Sequence, residues 1–144
     1  MTIKVRISAE IYPTEEEEKV VKALNNIIDI EKARKIEKIK ENILEKVFIE
    51  GPLDILSKLK TKIAIRHIQI HTRQLLLYNR NNNSSYLFLN KQAAFSNNVS
   101  LCESRNESPL GPIMIELSGE TDKDLDAAIV WLTEGIEYNS LAEM

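Results

Sequence analysis

Cysteine is almost missing from this chain. Cys102 stands alone, so no internal disulfide can form, and a reducing cytoplasm is the expected compartment. Histidine is nearly as scarce: only His67 and His71 are present. The four glycines, Gly51, Gly111, Gly119 and Gly135, are too scattered to build a phosphate-cradling loop. No P-loop or dinucleotide fingerprint exists, so no cofactor is expected. No apolar run approaches the roughly 18 residues that a membrane span needs. Residues 1–10 lack an apolar stretch flanked by basic residues, so no signal peptide is expected either.

What is there fits one globular domain over residues 1–144. At 43% hydrophobic the chain is long enough to bury a real core. Its net charge of -3 hides a strong asymmetry. Residues 51–110 hold eight basic and three acidic side chains, whereas residues 111–144 hold one basic and eight acidic. From Ile55 to Cys102 there is no Asp or Glu, yet Lys58, Lys60, Lys62, Arg66, Arg73, Arg80 and Lys91 fall inside that stretch. Such a run has two readings. It is a local patch for phosphate on an otherwise acidic protein, or a solvated face paired with acids from the chain ends.

Ile3, Val5 and Ile7 alternate with polar residues, which predicts a strand. Pro13 ends it. Thr14 and Glu17 have capping-box spacing, and Glu15 to Glu18 suit a helix N-terminus, which gives the four glutamates a structural job. Val20, Val21, Leu24, Ile27 and Ile28 follow at helical spacing. Residues 31–50 read two ways: Lys/Glu content favours a helix, while Val47-Phe48-Ile49 before Gly51-Pro52 is β-like. Leu53 to Asn79 is mostly helical, and Arg66 and Arg73, seven apart, should share a helix face. Residues 79–85 read as a mobile polar loop. A buried strand is expected at Tyr86–Leu89, a short helix capped by Asn90 through Phe95, and a strand around Val99–Cys102. Ile113, Ile115 and Leu117 alternate as a further strand. Thr121 and Asp124 open the last helix, whose core stripe is Leu125, Ala128, Ile129 and Leu132, with Gly135 placed to end it. This alternation defines an α+β domain, a mainly antiparallel sheet with helices on one face.

Catalytic chemistry finds little support. His67 and His71 are spaced i, i+4, but Ile68 follows His67 where a zinc protease needs Glu, and a third ligand is missing. No metal is expected. Ser108 has no partnered His and Asp, and Cys102 lies among Val99 and Leu101, the setting of an inert thiol. No catalytic residue is assigned. Tyr86 and Phe88 share a strand face in the manner of a base-stacking platform, although the equally apolar Leu87 and Leu89 point to core burial on both faces.

Three strings carry a resemblance. Tyr12-Pro13-Thr14-Glu15-Glu16-Glu17-Glu18, then Leu89-Asn90-Lys91-Gln92-Ala93-Ala94-Phe95, then Ser108-Pro109-Leu110-Gly111-Pro112-Ile113 occur in an order that resembles a family of small archaeal proteins described as RNA-binding. The resemblance implies a fold similar to that of the ribosomal protein that binds 5S rRNA. It also implies that residues 31–50 form two strands joined near Glu41-Asn42. RNA is the partner this reading expects. Lys58, Lys60, Lys62, Arg66 and Arg73 would contact phosphates, joined by Asn90, Lys91 and Gln92 if the amides after the Asn90 cap, with the Lys91 ammonium, bind an anion. The structural alternative for that last string is a tight strand–helix corner. Ser108 to Ile113 should shape the backbone, with Pro109 and Pro112 fixing its path. A non-catalytic structural or interaction protein is the alternative function, and a homodimer is compatible with either reading. No membrane partner is expected.

Overall fold

The computed structural model describes residues 2–134. β1 (Ile3–Ile11) buries Val5, Ile7, Ala9 and Ile11 on one side, as its alternation requires. α1 (Glu17–Ile27) follows, then the hairpin β2 (Lys35–Glu41) and β3 (Leu44–Gly51). α2 (Ser57–Ile65) and α3 (Gln69–Tyr78) precede β4 (Ser84–Leu89), α4 (Lys91–Phe95), β5 (Leu101–Cys102), β6 (Ile113–Gly119) and α5 (Asp122–Thr133). The sheet has six strands in the order β2-β3-β1-β6-β4-β5, every pair antiparallel. This is the expected α+β class.

Register explains the layering. Ile49, Ile7, Ile115 and Leu87 stand side by side across β3, β1, β6 and β4, and all four are buried. Over this row pack Leu24 and Ile27 of α1, Leu59 and Ile63 of α2, Leu76 of α3, and Leu125 and Leu132 of α5, in one continuous core. The next row, Phe48, Ser8, Met114, Phe88 and Cys102, faces away from the helices. Leu87 and Leu89 therefore join the core, while Tyr86 and Phe88 lie on the opposite face.

Residues 35–51 are strands despite their helix-favouring composition. Val47 and Ile49 of β3 must sit beside β1 to complete the core row, and β2 then pairs on the outer side of β3. Asn42, in the left-handed region at φ 57, makes the turn. Tertiary pairing overrides local propensity here.

Four expectations are corrected. The Thr14–Glu17 capping box does not form: α1 begins at Glu17 behind Glu16, with no side-chain cap, and Glu15 turns back to accept the Tyr12 N–H at 2.9 Å. The strand around Val99–Cys102 shortens to Leu101–Cys102, because the Asn98 N–H is still bonded back to the Ala93 carbonyl of α4 at 2.9 Å. The polar loop expected over 79–85 ends earlier, because Ser84 and Ser85 already belong to β4, and hydrogen bonds tie it to its neighbours. Asn81 and Ser84 bridge each other, the Asn79 side-chain amide donates to the Tyr86 carbonyl at 3.0 Å, and Arg80 pairs with Asp126. The mostly helical stretch over 53–79 breaks between Ile65 and Gln69, so Arg66 and Arg73 share no helix face.

That division is a Schellman motif. The His67 N–H bonds the Ala64 carbonyl at 3.1 Å and the Ile68 N–H bonds Ile63 at 3.2 Å, with His67 in the left-handed region at φ 57. Ile68 thereby folds back against the core. Glycine at this position avoids a Cβ clash that outweighs its entropic cost, so His67→Gly should raise stability by about 0.5–1 kcal/mol in chemical denaturation. Asn90 caps α4 through the Ala93 N–H at 2.9 Å, and Thr121 caps α5 through the Asp124 N–H at 3.2 Å, both as expected. Gly135, expected to end α5, lies outside the described residues.

Candidate nucleic-acid interface

α2 carries Lys58 and Lys62, and its C-cap Arg66 keeps helical backbone angles, so the spacing i, i+4 and i+8 lines the three up along one side. Their partners are neutral. Lys58 donates to the Asn25 carbonyl at 2.9 Å, Lys62 to the Asn97 side chain at 2.7 Å, and Arg66 to the Asn98 side chain. Lys22 of α1 lies over the ring of Phe95, two residues before Asn97, at 4.9 Å. None of these four cations has a carboxylate partner among the described residues.

The presenting loop has a local cause. α4 also ends in a Schellman motif, with Asn97 at φ 62, its N–H on Ala94 at 3.0 Å and the Asn98 N–H on Ala93 at 2.9 Å. Asn accepts this left-handed position better than most residues, and its side chain is then turned toward α2. The Asn26 side chain ties α1 to the same corner through the Ala94 carbonyl at 2.9 Å.

The other basic residues go elsewhere. Lys60, one step round α2, donates to the Trp131 carbonyl at 2.5 Å and pairs with Glu134 at 3.0 Å. Arg73 joins α3 to the end of α5 through the Thr133 hydroxyl at 2.8 Å. Arg80 pairs with Asp126 and, at 4.0 Å, with Asp122. Acids of the last third thus neutralise Lys60 and Arg80 and leave the Lys58–Arg66 stripe alone.

Lys91 corrects the anion-site expectation most sharply. The residue is 3% exposed, and its ammonium donates to both Glu15 oxygens at 2.9 and 3.0 Å, to the Glu10 carbonyl at 2.7 Å and to the Leu110 carbonyl at 2.6 Å. The Lys91 N–H is taken by the Ser108 hydroxyl at 3.2 Å, the Ala93 N–H by Asn90, and the Gln92 side chain donates to the Pro109 carbonyl at 3.0 Å. No free ammonium stands at this corner. Instead the three strings that carry the resemblance meet at Lys91 and hold one another. Gly111, at φ +82 after Leu110 at φ 61, lets the last string turn back onto it.

The helix-free sheet face is a poorer home for an anionic chain. Arg6 stacks on Phe48 at 4.4 Å, and Arg105 lies 5.6 Å from Phe88 while pairing with Glu10 at 2.9 Å. Lys4 pairs with Glu50 at 3.4 Å. Lys4 and Arg105 are already paired with carboxylates, so an anionic chain would have to break those pairs. Burial in the same face pushes the Cys102 thiol up from its ordinary pKa, and the Glu107 carboxylate adds to the effect. His67 sits in the break before α3, so His67 and His71 do not share a helix turn. Among the described residues no cluster of three His, Cys, Asp or Glu could hold a metal ion.

Fold and surface together define an α+β protein with a one-sided antiparallel sheet and a basic stripe that has no acidic partner among the described residues. The chain belongs to the family whose model is described as RNA binding, which matches residues 4–118. It is similar to the UPF0201 protein of Methanopyrus kandleri, 38% identical over 136 residues, covering 92% of this chain and 85% of that one. A UPF0201 protein of Sulfurisphaera tokodaii is 35% identical over 130 residues, covering 90% and 86%. The crystal structure of the Methanococcus jannaschii UPF0201 protein superposes with a TM-score of 0.77 at 27% identity, covering 91% of this chain and 99% of that one.

Proposed function

We propose that this protein binds RNA without catalysing a reaction, holding the phosphate backbone on Lys58, Lys62 and Arg66 with Lys22 beside them. The observation that carries this reading is the stripe's set of partners: three cations in line, each hydrogen-bonded to a neutral acceptor. A phosphate oxygen that replaces an amide oxygen keeps the charge-assisted hydrogen bond and adds the attraction of opposite charges. No ion pair has to break first. Lys60, Arg73 and Arg80, by contrast, already serve α5. Phosphate contacts position a nucleic acid without reading its bases, so sequence preference on the stripe itself should be slight.

Binding measured by fluorescence anisotropy at low salt tests this. The pair Lys62→Ala with Arg66→Ala should weaken binding to unrelated RNAs alike, whereas Arg80→Ala should leave it near wild type. Absence of binding by the wild-type protein to any RNA at low salt would remove the reading.

The interaction-protein reading has one observation of its own. Every residue of the edge strand β2 is exposed, and Ile36, Ile39 and the adjoining Ile43 face solvent. Lys35, Lys38 and Lys40 also lie on that edge, and charged residues there oppose strand-to-strand pairing. The edge is therefore a weaker basis for a homodimer than the stripe is for RNA.

A further inference from the structure

A pocket of about 380 Å³ opens between α1 and α4, walled by Val20, Ala23 and Phe95 and rimmed by Glu16, Gln92 and Ser96. Its volume lies within the range of about 300–1,000 Å³ usual for small-molecule sites. We propose that it seats one unstacked base of a single-stranded RNA whose phosphates run along the neighbouring stripe, with Phe95 as the stacking surface. This inference rests on the RNA reading above and adds the class of RNA that is bound.

Three observations support it. The first is continuity. Ser96 lines the pocket, and Asn97, the next residue, is bonded to Lys62 of the stripe.

The second is charge. Inside the pocket the carboxylates are offset by cations, Glu15 by Lys91 at 2.9 Å and Glu16 by Lys19 at 4.0 Å. The stripe beside it has no such balance. A phosphodiester chain is therefore drawn to the stripe, and a neutral base is the part of the nucleotide that suits the pocket.

The third is the covering of the ring. Phe95 is half-buried, and the groups over it are the ammonium ends of Lys22 at 4.9 Å and Lys19 at 6.0 Å. Both lie on long, mobile side chains. A base can displace the Lys22 ammonium from the ring, since every base offers a π-face. Duplex RNA keeps its bases stacked inside the helix and has none to offer.

Two measurements test the proposal. The first compares wild type and Phe95→Leu, which keeps an apolar side chain against the core but removes the aromatic face. Affinity for a single-stranded cytidine decamer should fall about fivefold or more, with the salt dependence unchanged, while a duplex of equal length should bind both proteins alike. The second needs no variant. The wild-type protein is photocrosslinked to a strand carrying 4-thiouridine, and the peptide that contains Gln92 to Ser96 should be the one modified. If Phe95→Leu binds the decamer as wild type does, or the crosslinks fall only on other peptides, the pocket is not a base seat. The RNA reading would survive that result if Lys62→Ala with Arg66→Ala still loses affinity. Failure of the wild-type protein to bind any RNA would overturn both.

Discussion

Lys91→Ala should lower stability by about 3–5 kcal/mol, the usual loss when one partner of a buried ion pair is removed. The side chain of Lys91 is 4% exposed and that of Glu15 is 10% exposed, so the remaining carboxylate would stay buried without a counter-charge. The damage would not stop there. The Glu10 and Leu110 carbonyls lose their ammonium donor together, and these join the end of β1 to the segment before β6. Urea denaturation should show a lowered midpoint with a similar slope, while Gln92→Ala, one residue on and exposed, should change little. An unaltered midpoint for Lys91→Ala would mean that the corner is held by something else. One consequence bears on function: RNA binding lost in a Lys91 variant would report on folding, not on a phosphate contact.

Leu125→Ala and Leu132→Ala should each cost about 2–5 kcal/mol, the range for deleting most of a buried leucine. Both side chains are fully enclosed, on the face of α5 that packs over β1 and β6. Three deleted carbons leave a cavity that a close-packed core fills only in part. Glu16→Ala, on the solvent side of the entry to α1, should change stability little. Equal denaturation midpoints for the three variants would show that α5 does not close the core as described.

Much of this was legible in the sequence, and the exceptions share a cause. The strands β1 and β6 and the helix α5 announce themselves because each buries one face, and a one-sided burial writes its period into the chain. Asn90 and Thr121 are readable as caps because a cap acts within three residues. Residues 31–50 are different. Their Lys/Glu content follows from the exposure of β2, and only pairing with β1 makes β3 a strand. The break at His67 is hidden because neither glycine nor proline marks it; the pull of Ile68 into the core is a tertiary event.

The stripe was half visible for the same reason. Lys58, Lys62 and Arg66 follow from helical spacing, but their separation from Lys60, Arg73 and Arg80 depends on where α5 lies. Lys22 escaped because residues 1–50 are nearly charge-balanced along the chain. It reaches the stripe only when α1 packs against α4. Lys91 and Glu15 are 76 positions apart, and nothing local announces that they meet.

Salt dependence of RNA binding addresses the central claim most directly. Each phosphate contact releases counterions, so the logarithm of the binding constant should fall linearly with the logarithm of salt concentration, with a slope of about 0.7–0.9 per contact. The variant Lys58→Ala, Lys62→Ala, Arg66→Ala should bind more weakly and with a slope flatter by about 2–3. Slopes that coincide for this variant and the wild type would contradict the assignment of the stripe as the phosphate-binding surface.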